Sequence, residues 1–188
     1  MTDDIRIFTE SPRVEALLAP YRAKIGGDYA GYRNHILRVL SYAMHFLGDD
    51  DRHLPIVETA LAFHDLGMWS HGDLAYLEPS IAEALATNDR EGLGHDPVLL
   101  AAMIREHHKL RPYHGPGAEL VNAVRKADWI DASGGVVRKG VSKAQIARVT
   151  AAIPVEGFPR TLMRLAADLA GGNQLRGLLR VVTRVYRF

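Results

Sequence analysis

Apolar residues recur along most of the chain at intervals of three and four residues, and the alternation typical of a half-buried strand is nearly absent. This pattern predicts an all-α protein. Proline, serine and aspartate mark the predicted helix starts, and glycine marks several of the ends. The predicted helices cover approximately residues 12–26, 28–47, 55–67, 96–108 and 118–132, with a short helix at Pro79, another after Ser142 and two more at the end of the chain.

The length and composition indicate one domain. The 188 residues are 47% hydrophobic and 24% charged, which suffices for one core, and no repeat or long linker divides them. We therefore expect a single-domain helical bundle over residues 1–188, in which the C-terminal helices at 142–188 pack on the rest. The last helix has a basic stripe, and we expect it to dock on the body of the domain. This stripe consists of Arg176, Arg180, Arg184 and Arg187.

Charge and cysteine content exclude several classes of function. Lys and Arg number 23 against 22 Asp and Glu, so the net charge of +1 gives no global field that attracts nucleic acid or an anionic membrane. The absence of cysteine excludes disulfides, thiolate zinc sites, iron–sulfur clusters and cysteine nucleophiles. The N terminus lacks the pattern of a signal peptide, and no run approaches the roughly 18 apolar residues of a membrane span. We therefore expect a cytoplasmic protein without membrane or nucleic-acid partners.

The chain has nine histidines, and some of them fall where a metal site could form. His35 shares a helix face with apolar residues, and His64 and Asp65 are adjacent near the end of a predicted helix. Asp128 lies one turn after Val124 on the apolar stripe of another helix. A buried, unpaired carboxylate costs several kcal/mol, so Asp128 needs a cation, a set of donors or a metal ion. One metal ion would account for all of these placements together.

In their order and spacing, these residues resemble the HD-domain superfamily, which is named after its His-Asp doublet. The doublet lies in the segment 63–67 and the last aspartate in the segment 126–131. The resemblance implies an all-α bundle of the HD type, with a metal-binding core at about residues 28–132. Nitrogen and oxygen donors of this kind suit a divalent Mn, Fe, Ni, Co, Zn or Mg ion. The ligands implied for one ion are His35, His64, Asp65 and Asp128.

The same resemblance implies residues for a second ion. Two-metal members of the superfamily carry a His-His pair where this chain has His107 and His108, and a histidine before a proline where it has Glu78 before Pro79. In a two-metal arrangement, Asp65 bridges the ions, and the second ion is held by Glu78, His107 and His108. Alternatively, Glu78 only stabilises a helix N terminus. With one ion, His107 or His108 could act as a general acid or contact a phosphate.

The function that the resemblance implies is that of a metal-dependent phosphohydrolase with a small phosphate ester as substrate, such as a nucleotide or a related metabolite. The catalytic residues would be Asp65, His107 and His108. One alternative is a non-haem di-iron oxygenase of the same superfamily, and another is a non-enzymatic sensor on a degenerate site. The sequence does not indicate an oligomeric state.

Cations that could surround the pocket mouth and hold phosphate are Arg33, Lys109, Arg125 and Lys126.

Overall fold

The computed structural model describes residues 4–70 and 76–158, together with residues 161 and 164. This part of the chain is helical and contains no strand, which confirms the all-α prediction. The last predicted helices and the basic stripe lie outside the described residues. The described α-helices are α1 (Pro12–Leu18), α2 (Arg22–Ile25), α3 (Tyr29–Phe46), α4 (Leu54–Phe63), α5 (Gly67–Ser70), α6 (Leu77–Arg90), α7 (Pro97–Glu106), α8 (Ala118–Ala132) and α9 (Lys143–Ala152).

The helix predicted at residues 12–26 is interrupted in the structure. A 3-10 turn at Ala19–Tyr21 separates α1 from α2. Pro20 lies in this turn and has no N–H to donate, so an α-helical ladder of hydrogen bonds cannot pass through it unbroken. A second 3-10 turn at Gly26–Asp28 leads directly into α3.

The helix predicted at residues 55–67 is also shorter, because α4 ends at Phe63. A tight turn follows, in which the N–H of Leu66 donates to the carbonyl oxygen of Phe63 over 3.0 Å. His64 and Asp65 therefore lie in the turn at the C-terminal end of α4 and not inside a longer helix. Two predicted N-caps are confirmed at other helices, namely Asp96 at α7 and Ser142 at α9.

Helix α3 lies at the centre of the fold. It packs along α8 and α4, and α4 also contacts α1, α6 and α7. Buried apolar residues from Ile5 to Phe158 form one hydrophobic cluster. Because α3 has neighbours on several sides, even its polar residues His35 and Arg38 are buried and must find partners inside the protein. None of the described helices is long and apolar enough to cross a membrane.

Candidate metal centre

Six side chains from four helices converge at one place in the core. Helices α3 and α8 each contribute a residue from within their length, whereas α4 and α7 contribute pairs that directly follow their last residues. The structure thereby brings together most of the site residues that the sequence predicts. The six are His35, His64, Asp65, His107, His108 and Asp128, in three overlapping groups that could each hold a metal ion.

The first set of donor atoms lies between α3, α4 and α8. The Nε2 atom of His35 lies 3.0 Å from Nε2 of His64 and 3.4 Å from Oδ1 of Asp128. Nε2 of His64 lies 3.3 Å from Oδ2 of Asp65. Donors that surround one ion at about 2.0–2.2 Å are separated by distances of this order. These four residues are the ones that the sequence predicts for one ion.

Hydrogen bonds made by Nδ1 determine the tautomer of His64 and His107, and thereby the state of their Nε2 atoms. The Nδ1 atom of His64 donates to the carbonyl oxygen of Leu61 over 2.7 Å, and Nδ1 of His107 donates to that of Ile104 over 2.6 Å. Carbonyl oxygens only accept, so Nδ1 carries the hydrogen in both rings. Nε2 in each neutral ring is therefore a lone-pair acceptor, which is the form that binds a metal.

The cluster consequently contains more acceptors than donors. His35 donates its Nδ1 hydrogen to Asp131, so in the neutral ring its Nε2 atom is a second acceptor that faces Nε2 of His64 beside two carboxylates. Oδ1 of Asp65 and Nε2 of His107 are buried and have no hydrogen-bond partner within the described part of the chain. Acceptors at such distances repel each other unless a proton or a cation lies between them. The donor set therefore fits a divalent cation.

The pKa values at the site follow from the same crowding. Burial alone would lower the pKa of His35, but hydrogen bonds to Asp128 and Asp131 outweigh it and raise this pKa to about 9. Burial would raise the pKa of Asp65, but the adjacent imidazole rings of His64 and His107 hold this pKa well below its usual range. The pKa of Asp128 is lowered as well. Both carboxylates are therefore ionised, and a metal ion would displace the Nε2 proton of His35.

A second set of donor atoms adjoins the first. Oδ1 of Asp65 lies 3.4 Å from Nε2 of His107, whereas its Oδ2 faces His64. Asp128 divides its oxygens in the same way, because Oδ1 faces His35 and Oδ2 lies 3.7 Å from Nδ1 of His108. Both carboxylates thus contact both sets, which is the arrangement a bridging ligand needs.

Glu78 does not belong to either set, which corrects the expectation that it is a ligand. It lies in the first turn of α6 with 69% of its side chain exposed. Its two carboxylate oxygens accept hydrogen bonds of 3.0 Å from Arg105 on α7. The register of α6 directs Glu78 towards the surface of α7 and not into the core. In the structure, Asp128 supplies the second shared carboxylate.

Replacing Glu78 with alanine is therefore expected to leave the number of bound metal ions unchanged. Exposed ion pairs such as Glu78–Arg105 contribute about 0–1 kcal/mol, so the stability should also change little. Metal analysis by inductively coupled plasma mass spectrometry and thermal unfolding measure both effects, and Arg105→Ala serves as the matched control. Loss of one ion per chain in Glu78→Ala alone would restore Glu78 as a ligand.

Three of the cations expected to hold phosphate have partners within the protein. Arg33 pairs with Glu15 on α1. Arg125 is buried and donates to two main-chain carbonyl oxygens in the loop after α7. The Nζ atom of Lys126 lies 5.3 Å from the centre of the Phe46 ring. These three cations therefore have structural contacts within the protein that the sequence pattern did not indicate.

Three further residues lie against the cluster or directly behind it, and the sequence pattern assigned none of them a role. Asp131 accepts from His35, Arg38 binds Asp131, and the hydroxyl group of Tyr76 contacts Nε2 of His108. Asp131 and Arg38 each lie three residues after a candidate ligand, Asp128 or His35, on the same helix. This spacing places each pair on one helix face and is the signal that could have identified them. For Tyr76 no comparable spacing exists.

Neither a family model, nor a curated protein, nor a solved structure matches the chain. The function is therefore inferred from the geometry of the site and from the resemblance of its motif.

Proposed function

We propose that this protein is a metal-dependent phosphohydrolase of the HD type that acts on a small phosphate ester, such as a nucleotide or a related metabolite. The observation that carries the proposal is the pair of Nε2 atoms of His35 and His64, 3.0 Å apart and bordered by the carboxylates of Asp65 and Asp128. The order of the motif residues supports the hydrolytic chemistry by resemblance.

The four residues His35, His64, Asp65 and Asp128 would hold one divalent ion. Asp65 and Asp128 would share a second ion with His107 and His108, whose nitrogens lie beside the other carboxylate oxygens. A divalent ion in such a site supplies Lewis acidity towards a phosphoryl oxygen and a bound water of lowered pKa. The negative charge for these ions comes from two buried carboxylates that stay ionised.

His108 is placed differently from the other histidines of the cluster. Its side chain is 12% exposed, whereas those of His64 and His107 are fully buried. The hydroxyl group of Tyr76 contacts its Nε2 atom, and its Nδ1 atom faces Asp128. With two ions, His108 would be a ligand through Nδ1. With one ion, it is the group best placed to hold a proton at Nε2 for the leaving group.

Aromatic rings exclude water from one side of the cluster. The ring of Phe158 stacks on His35 at a centroid distance of 4.3 Å, and the ring of Tyr32 stacks on His64 at 6.0 Å. Tyr32 also packs against Trp69 at 4.7 Å. Charges act more strongly in such an apolar environment, which favours both metal binding and the stabilisation of a phosphoryl group.

The second donor set also favours one alternative function, that of a non-haem di-iron oxygenase. Four histidines and two shared carboxylates are a donor set that two iron ions could occupy. The same ligands would serve both functions, so only the reaction that the protein catalyses, phosphate release or oxygen consumption, distinguishes them.

The proposal is tested by two assays on the same purified protein. Metal-free protein is loaded separately with Mn²⁺, Fe²⁺, Co²⁺, Zn²⁺ or Mg²⁺. It is then assayed with p-nitrophenyl phosphate and with nucleoside monophosphates. We expect release of phosphate that depends on the metal and stops after chelation. Oxygen uptake by the Fe²⁺ form without phosphate release in any form would favour the oxygenase, and full hydrolysis after complete chelation would contradict both functions.

A further inference from the structure

The partner of His35 at Nδ1 differs from those of the other buried histidines. His64 and His107 donate to main-chain carbonyl oxygens three residues earlier, which any α-helical chain can supply. His35 contacts a carboxylate, because its Nδ1 lies 2.7 Å from Oδ2 of Asp131 on α8. A carboxylate at this nitrogen fixes the tautomer and makes the opposite nitrogen a stronger ligand.

Asp131 is itself held in place by Arg38. The guanidinium group binds both carboxylate oxygens, with Nε 2.6 Å from Oδ1 and Nη2 2.8 Å from Oδ2. Its Nη1 atom donates to the carbonyl oxygens of Ile153 and Pro154 after α9. The side chains are 1% exposed for Arg38 and 9% for Asp131. The carboxylate therefore has a fixed position, and so does the ring that it contacts.

Helices α3 and α8 each carry a charged residue about one turn after a candidate metal ligand. On α3, Arg38 follows His35 by three residues, and on α8, Asp131 follows Asp128 by three residues. Because α3 and α8 pack against each other, the first residues of the two pairs meet in the donor cluster and the second residues meet behind it. The buried ion pair lies directly behind a candidate ligand.

Stability alone does not account for this pair. Burying two charges costs desolvation, and apolar residues of similar volume are often as stable in the same place. A carboxylate held in a fixed position at Nδ1 would instead fix the orientation of a metal-binding ring and raise its basicity. We propose that Asp131, held by Arg38, is a positioning residue that orients His35 with Nε2 towards the metal centre and strengthens it as a ligand. This role rests on the metal centre of the proposed function.

The test uses Co²⁺, whose absorption spectrum reports the ligand field. In Asp131→Asn, the amide oxygen can still accept the Nδ1 hydrogen but carries no charge. We expect the dissociation constant for Co²⁺ to rise about 10–100-fold and the d–d absorption bands to shift. Because Asp131→Asn leaves Arg38 buried without its full partner, the double variant Arg38→Met/Asp131→Leu is measured as well. It replaces the whole pair with apolar residues and should show the same loss of affinity with a stable fold.

Glu58→Gln is the matched control. Glu58 is a buried carboxylate on α4 that pairs with Arg13 and accepts from Ser11, and it contacts none of the candidate ligands. This variant should lose stability but keep the Co²⁺ affinity and spectrum. Wild-type affinity and spectrum in Asp131→Asn would overturn the positioning role while leaving the metal centre intact. If the wild-type protein bound no Co²⁺ at all, the metal centre and the role of Asp131 would both be overturned.

Discussion

Replacing Asp65 with asparagine is expected to remove the bound metal and to abolish phosphate-ester hydrolysis. Asp65 directs Oδ2 towards His64 at 3.3 Å and Oδ1 towards His107 at 3.4 Å, so it contacts both donor sets. Asparagine keeps the shape but removes the charge, and it places an NH₂ group against one of the two histidine acceptors. Metal catalysis is worth several kcal/mol, so the rate should fall by at least about a thousandfold.

Metal stoichiometry and phosphate release are measured on the same preparation. Glu58→Gln is again the control, because Glu58 is also a buried carboxylate of the α4 region and lies away from the cluster. It should lose about 1–3 kcal/mol of stability through its unsatisfied partners and retain the metal. A purified Asp65→Asn protein with the metal content of the wild type would contradict the assignment of Asp65 as a ligand.

The helical fold could be predicted because amphipathic periodicity is a local property of the sequence. Two of the predicted helix boundaries differ from those in the structure, each for a local reason. Pro20 interrupts the first predicted helix, and the turn after Phe63 ends α4 before Gly67. The second difference places His64 and Asp65 in the i→i+3 turn that closes α4, directly after its last residue.

The candidate ligands could be predicted from residue type and order, but their hydrogen-bond partners could not. Arg38 and Asp131 are 93 residues apart, and their contact depends on the distance between α3 and α8. The expectation that Glu78 is a ligand rests on its position before a proline, where two-metal members of the HD-domain superfamily carry a histidine. The structure begins α6 at Leu77, and this register turns Glu78 towards Arg105. Register relative to a neighbouring helix is a tertiary property that no local pattern specifies.

The metal-replete protein is expected to hold two divalent ions per chain, and His107→Ala is expected to hold one. His107 is buried, and its Nδ1 hydrogen is donated to Ile104, so only its Nε2 acceptor faces the cluster. This atom has no hydrogen-bond partner within the described residues and lies 3.4 Å from Oδ1 of Asp65. The first donor set does not include His107 and should keep its ion, whereas the second set loses one of its two histidines.

An anomalous-difference map of the native crystals should show two peaks about 3.5–4 Å apart, the spacing of two-metal sites. The His107→Ala map should retain only the peak beside His35 and His64. Hydrolysis should fall on the order of 100-fold, because the ion that remains still supplies part of the charge stabilisation. His114→Ala is the control, since His114 is an exposed histidine in the loop after α7 and should leave both peaks in place.

A single peak in metal-replete native crystals would make the centre mononuclear. The di-iron alternative would then fall, and His108 would take the role of proton donor.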